Sequence, residues 1–205
     1  METQIGAQST TELRLRGGKY TLSSLCQLFL VCVFPIHVWA IVAALRDFSW
    51  VAERTRVWDA VGLISYALIY ALMETIGVFI VLCILGLLTP KRWNAESRAL
   101  LLGTLFLVAS TWVILGQLYT FGGGTLPASL LDLLVQTGHP LRIVWGVLLP
   151  LIFLSAAIPS IAVVTRDRVK DAFASVVERI SVLSTFYLFL DIVGIIIIFI
   201  RSITE

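Results

Sequence analysis

Charged residues are scarce in this sequence. Only 14% of its 205 residues are Asp, Glu, Lys or Arg, whereas a soluble domain averages roughly a quarter. Apolar residues make up 59% of the chain, and the mean hydropathy is +0.96. This composition excludes an ordinary soluble fold, a disordered chain and a collagen-like chain. It predicts an integral membrane protein.

Histidine and cysteine, the residues of many catalytic and metal sites, are also few. The chain has two histidines and three cysteines, and it contains no His-Glu-x-x-His, Gly-x-Ser-x-Gly or phosphate-binding Gly-Lys-Ser/Thr motif. An odd number of cysteines, all within apolar stretches, gives neither a disulfide framework nor a metal cluster. No metal or cofactor is therefore expected, and an enzyme is the least favoured class. The net charge of +2 is too small to indicate nucleic-acid binding.

Five long apolar stretches dominate the sequence. They cover residues 25–45, 61–88, 100–118, 143–164 and 180–200. A helix needs about 20 apolar residues to cross the hydrocarbon core, and none of these stretches alternates as a barrel strand would. We predict an all-α, polytopic bundle of five transmembrane helices, forming one domain over residues 23–205. A polar arm of residues 1–22 precedes it, and the first helix is too long for a cleavable signal.

The basic residues predict the orientation of this bundle. Ten fall in segments on one side, namely Arg14, Arg16, Lys19, Lys91, Arg92, Arg98, Arg166, Arg168, Lys170 and Arg179. Five fall on the other, namely Arg46, Arg54, Arg56, Arg142 and Arg201. Because positive residues are retained in the cytoplasm, we expect a cytoplasmic N-terminus and an extracytoplasmic C-terminus. With no organelle-targeting segment evident, a multi-pass protein of the plasma or inner membrane is expected.

Two connecting segments have helical patterns of their own. Ser129 and Asp132 are spaced like a capping box, which predicts a short interfacial helix ending near Gly138. On the other side, apolar residues recur at helical spacing between Val169 and Ile180, opposite charged positions. This pattern predicts an amphipathic helix leading into the fifth span.

Two acids and one histidine lie inside the predicted spans. From the rise of 1.5 Å per residue, Glu74 lies ~20 Å, Asp191 ~15 Å and His37 ~13 Å below the predicted outer boundary. A charged side chain at such depth is costly and by default suggests function. We expect the three to approach one another in a compact bundle. The structural alternative for the two acids is that each is protonated and bonded to a neighbour. For His37 we expect a packing residue beside Pro35, and a role at the site is the alternative.

The two acids share a sequence context. The matching residues are Tyr70, Glu74 and Gly77 in the second span, and Tyr187, Asp191 and Gly194 in the fifth. Each triplet lies on one helix face, so the tyrosine is a possible hydrogen-bond partner of the acid. The glycines are expected to allow close helix packing.

An inverted repeat would explain this match, because the second and fifth spans run in opposite directions. Pro35 and Pro150, in the first and fourth spans, fit such a plan. The alternative is chance resemblance between apolar segments that use few residue types.

Two functions remain open. The first is a proton-coupled transporter or permease-like bundle with Glu74 and Asp191 as the substrate or proton site, Tyr70 and Tyr187 as their partners, and His37 nearby. The second is a non-catalytic subunit of a larger membrane complex. The expected partners are the lipid bilayer and either further copies of the chain or other membrane subunits. A transporter needs an acid that is reachable from water, whereas a structural acid should be enclosed between helices.

Overall fold

The computed structural model describes residues 20–89 and 94–204, and these residues form six helices without a strand. The helices are α1 Leu22–Arg54, α2 Val57–Leu88, α3 Ala95–Phe121, α4 Ala128–Gln136, α5 Pro140–Thr165 and α6 Asp167–Thr204. All except the short α4 are long and apolar enough to cross a membrane. The prediction of a helical protein with five candidate membrane spans is confirmed. Residues 1–19 of the predicted polar arm lie outside the described part.

The five long helices extend beyond the apolar stretches that predicted them. The largest extension is in α6, which begins at Asp167 and has 38 residues, a length of ~57 Å. The amphipathic segment and the fifth span therefore form one continuous helix. A single residue, Arg166, separates it from α5. Polar end turns continue these helices because amphipathic turns remain helical when one face packs on neighbouring helices.

The helix ends differ in how they are capped. At the start of α1, Thr21 accepts a hydrogen bond from the Ser24 amide, and Ser24 accepts one from the Thr21 amide, which together form a capping box. The short helix predicted near Ser129 is present, but its proposed capping box is wrong. It begins at Ala128 after Pro127 and has no side-chain cap. It ends before Gly138, whose φ of +69° favours glycine.

Contacts between α1 and α6 show that these two helices run parallel. The Ser184 hydroxyl donates to the Leu30 carbonyl at 2.6 Å, and Asp191 contacts His37 seven residues further along both helices. In contrast, α2 is antiparallel to α6, because Gly194 packs on Ser65 while the later Arg201 binds the earlier Asp59.

Helices α3 and α5 also alternate in direction along the chain. Leu28 packs with Leu102 and Arg46 with Phe121, so α3 is parallel to α1. Leu100 packs with Val163, whereas Trp112 bonds Ser155, so α5 is antiparallel to α3. The five long helices thus alternate in direction, as successive membrane crossings must. The side of the membrane on which each terminus lies stays a prediction from the basic residues.

The core surrounds α1, which packs against α2, α3 and α6. Its two clusters of buried apolar side chains are Leu28, Cys32, Leu82 and Leu102, and Val31, Leu100, Val163 and Val177. Helix α5 is peripheral, since its buried residues are Ser160 and Val163. Helix α1 is therefore the element through which most of the bundle is connected.

Charged pairs connect the helices at both ends of the bundle. At one end, Arg201 binds the Asp59 carboxylate at 2.9 Å and the Trp58 carbonyl at 2.9 Å. At the other end, Lys170 at the start of α6 lies 3.1 Å from Glu96 at the start of α3. Tyr20, near that end, donates a hydrogen bond to the Cys83 carbonyl at 2.9 Å. Burial raises the pKa of this phenol above its ordinary value, so it remains a donor.

The two glycines expected to allow helix packing lie in different surroundings. A Cβ at Gly194 would lie 3.4 Å from the Ser65 carbonyl oxygen and 3.5 Å from its Cα, both backbone atoms of α2. A Cβ at Gly77 would meet nothing within 4 Å. Close approach of two helices thus depends on Gly194 and involves no neighbour at Gly77.

Gly194→Leu is expected to separate α6 from α2 and to lower the free energy of unfolding by roughly 1–3 kcal/mol, because the backbone at Ser65 cannot yield as a side chain would. The matched variant Gly77→Leu should change it by less than about 0.5 kcal/mol. Chemical unfolding in detergent, followed by circular dichroism, measures both. Equal losses would contradict the packing described.

Candidate functional site

A histidine and an aspartate meet in the interior of the bundle. The His37 Nε2 atom of α1 lies 3.1 Å from both Oδ1 and Oδ2 of Asp191 on α6. The other ring nitrogen, Nδ1, lies 2.8 Å from the carbonyl oxygen of Val33, one turn earlier in α1. His37 is 0% and Asp191 1% exposed. Both ring nitrogens are thus engaged in a site without contact with solvent or lipid, which is the enclosure expected of a structural acid. A proton-binding role requires a second conformation in which Asp191 reaches water.

The hydrogen bonds determine how many protons this site holds. A carbonyl oxygen only accepts, so Nδ1 carries a proton and donates it to Val33. One further proton then lies between Nε2 and the Asp191 carboxyl group. It belongs to an imidazolium facing a carboxylate, or to a carboxylic acid facing a neutral imidazole. Both arrangements have zero net charge, which suits an enclosed apolar position.

Removal of that shared proton changes the interaction from attractive to repulsive. The Nε2 lone pair would then face a carboxylate, and the site would carry an uncompensated negative charge. An uncompensated buried charge is strongly destabilising. The contact between α1 and α6 therefore depends on one proton.

Neighbouring groups hold the pair in position. The Tyr187 ring stacks on the His37 ring, with centroids 6.0 Å apart and planes inclined by 7°. Phe34, one turn before His37 in α1, also contacts Tyr187, at a centroid distance of 6.3 Å. Among the described residues, no hydrogen bond joins the Tyr187 hydroxyl to Asp191. Tyr187 contacts the histidine of the pair, whereas its sequence spacing suggested the acid.

Glu74 lies elsewhere, in a groove between α1, α2 and α3. The groove encloses about 230 Å³, and its lining residues are Pro35, Ile36, Trp39, Glu74, Val78, Phe106, Ala109, Ser110, Val113, Ile114 and Gln117. Glu74 is exposed. The Oε1 atom of Gln117 is buried and has no hydrogen-bond partner in the described part of the chain. The groove thus combines an acid and an unpaired acceptor with apolar walls.

The pair and the groove lie on opposite sides of α1. Each residue turns a helix by about 100°, so Pro35 and Trp39, two positions before and after His37, face away from it. His37 contacts α6, whereas Pro35 and Trp39 line the groove with Glu74. The structure therefore brings His37 together with Asp191, but it places Glu74 in a separate site.

The two similar triplets also differ in their surroundings. Asp191 and Gly194 are buried, and Tyr187 is half-buried. In α2 the corresponding Tyr70 is 70% exposed, and Glu74 and Gly77 are exposed as well. Tyr70 contributes neither to the pair nor to the lining of the groove. The Tyr-acid-Gly pattern thus lies on a buried face of α6 and on an exposed face of α2.

Sequence reasoning expected His37 and Asp191 to approach each other, but it did not pair their side chains, and it gave Gln117 no role. The register that pairs them is visible only in the structure, because Leu30 accepts through its backbone carbonyl. Leu30 and His37 are seven residues apart, as are Ser184 and Asp191, so one helix-to-helix register satisfies both bonds. The unpaired Gln117 gave no signal, because amides near helix ends are usually solvated. Among the described residues, no group of three or more His, Cys, Asp and Glu could hold a metal ion.

Asp191→Asn is expected to keep the fold, because the amide NH₂ can donate to Nε2 while Nδ1–H still donates to Val33. The free energy of unfolding should fall by less than about 1 kcal/mol. Asp191→Leu leaves Nε2 buried without a partner and should cost roughly 1–3 kcal/mol. Unfolding in detergent compares the two with Asp132→Asn, an exposed control on α4. Similar losses for Asn and Leu would show that the hydrogen bond is unimportant.

Comparison of the chain with protein-family models, curated proteins and solved structures found no match. The function is therefore argued from this chain's own geometry. Two features carry that argument: the enclosed His37–Asp191 pair between parallel helices, and the groove that contains Glu74 on the opposite side of α1.

Proposed function

We propose that this chain is a small proton-coupled transport protein of the plasma or inner membrane, and that the His37–Asp191 pair is its proton-binding site. The observation that carries the proposal is the complete burial of an imidazole and a carboxyl group within hydrogen-bonding distance of each other, between two candidate membrane spans. Intramembrane ionisable residues of these types mark proton relays in pumps and transporters.

Proton occupancy of this pair would control the arrangement of α1 and α6. With the proton bound, a hydrogen bond holds the helices together. Without it, two acceptors face each other, and a conformation in which α1 and α6 separate is favoured. A ligand shifts a conformational equilibrium by its differential affinity for the two states. Here the proton is that ligand, and the separated conformation would expose Asp191 to water.

Helix α1 would transmit this change to the groove. It forms the wall between the pair and Glu74, and it contains Pro35 two residues before His37. Proline has no amide proton and removes one hydrogen bond from the helix, which makes bending there less costly. Movement of α1 about Pro35 would alter the pair and the groove together. Only one Tyr-acid-Gly segment belongs to the pair, so this mechanism does not require an inverted repeat.

A second candidate function is that of a non-catalytic subunit in a larger membrane assembly. The observation in its favour is the exposure of α5, where Trp145 is 54% and Phe153 71% exposed. Lipid or a neighbouring subunit would cover this face. Mass measurement after gentle extraction distinguishes the two. A chain that purifies alone or as a simple oligomer counts against the subunit function, and a stoichiometric second protein supports it.

Reconstitution into liposomes tests proton coupling. An imposed inward proton gradient should drive proton entry with the parent protein in the presence of a transported solute, measured with a pH-sensitive dye and a broad solute panel. Asp191→Asn should fold but should reduce the rate of proton entry to about a tenth or less, because an amide side chain does not take up or release a proton as a carboxyl group does.

The matched control is Asp59→Asn, which removes the ion pair of α6 with α2 at the end of the bundle and leaves the His37 site intact. Its flux should stay within about twofold of the parent, since this half-buried ion pair lies at the end of the bundle and contacts neither His37 nor Asp191. The transport function is wrong if no solute produces proton-linked flux, or if Asp191→Asn transports as well as the parent.

A further inference from the structure

We infer that the groove between α1, α2 and α3 binds a lipophilic primary ammonium ion, with its headgroup at Glu74 and its apolar chain along the groove. This names a substrate class for the proposed transporter and rests on that function.

Charge complementarity is the first observation behind this assignment. Glu74 contributes a carboxyl group, and none of the described residues that line the groove is Lys, Arg or His. The buried base His37 faces the opposite side of α1 and is bonded to Asp191. Among residues 20–89 and 94–204, Glu74 has no ion-pair partner. A cation from outside the chain would supply one and would allow the carboxylate to be ionised within the membrane.

Gln117 is the second, independent observation. Its Oε1 atom is buried without a hydrogen-bond donor in the described part of the chain. Buried acceptors in folded proteins are nearly always paired, so this oxygen indicates a missing N–H or O–H group. An ammonium ion with three N–H donors can serve Glu74 and also approach Gln117. A quaternary ammonium ion has no such donor.

The remaining walls select for a lipophilic amine. They are built mainly from apolar side chains, among them Val78, Phe106 and Val113, which would pack along an alkyl chain. One carboxylate, one amide and the Ser110 hydroxyl offer too few oxygen ligands for Ca²⁺ or Mg²⁺. A volume of about 230 Å³ fits a headgroup with part of a chain and is smaller than typical pockets for drug-sized ligands. The amine would enter laterally from the bilayer.

Equilibrium binding to the full-length protein in phosphatidylcholine nanodiscs tests this site without a proton gradient. Dodecylammonium and the neutral dodecanol are the probes, and empty nanodiscs give the background of partition into lipid. Saturable binding of dodecylammonium is expected, about tenfold or more tighter than that of dodecanol. Glu74→Gln should weaken dodecylammonium binding about tenfold and leave dodecanol unchanged. The exposed control Asp132→Asn should bind like the parent.

Gln117→Leu separates the hydrogen bond from the charge. It should weaken dodecylammonium about threefold or more and leave dodecyltrimethylammonium, which has no N–H donor, unchanged. An equal loss for both probes would contradict a hydrogen bond to Gln117. The site is wrong if dodecylammonium shows no saturable binding, or if Glu74→Gln binds it as tightly as the parent while retaining the circular dichroism spectrum of the folded protein.

The failure of this site and the failure of transport are distinguishable. Asp191→Asn should still bind dodecylammonium saturably, because its amide keeps the hydrogen bond to His37 Nε2 and therefore the proton-bound arrangement of α1. If amine binding is absent while Asp191-dependent proton flux persists, the substrate class is wrong and the transport function stands. A cysteine introduced at the exposed Val113 that cross-links two chains in the membrane would show a second copy covering the groove, and would also overturn the amine site.

Discussion

A hydrogen bond between an imidazole and a carboxyl group holds α1 against α6. Both groups are fully enclosed, so the pair is stable only when its net charge is zero. The second imidazole nitrogen is committed to the Val33 carbonyl, and this bond leaves Nε2 as the position where the proton count can change. Stacking of Tyr187 restricts rotation of the ring. The parallel packing of the first and last long helices depends on this contact and on the Ser184 bond one heptad earlier.

The central position of α1 gives this interaction its wider consequence. The same helix that carries His37 also forms a wall of the groove containing Glu74, and it packs on three of the other four long helices. Two sites on opposite faces of one helix are coupled if the helix has two conformations and each site binds its ligand more tightly in one of them. Pro35 provides the local weakness in its hydrogen bonding. The proposed proton site on one face and the proposed amine site on the other would thus be connected through one structural element.

The sequence was sufficient for the class of fold, since the length and apolar character of five segments determine helices that can cross a bilayer. It was also sufficient to select Glu74, Asp191 and His37, because ionisable residues stand out against an apolar background. The partners were harder. Depth along a helix follows from counting residues, and it placed His37 and Asp191 within one turn of each other. The direction in which a side chain points around the helix axis decides which neighbouring helix it contacts, and the sequence does not give the positions of those helices. For this reason Glu74 lies apart from His37 and Asp191. The contrast between Gly77 and Gly194 has the same origin, as does the contrast between Tyr70 and Tyr187.

The central claim is that His37 Nε2 and Asp191 share an exchangeable proton while Nδ1 stays bonded to Val33. Nitrogen-15 NMR of the histidine rings tests it most directly, because the chain has only two histidines and a His139→Gln variant assigns their signals. We expect Nδ1 of His37 to be protonated in the parent and in Asp191→Asn, and the signal of Nε2 to change between the two, because only the carboxyl group can share its proton with Nε2. A change at Nδ1 with Nε2 constant, or no change at either nitrogen, would contradict it.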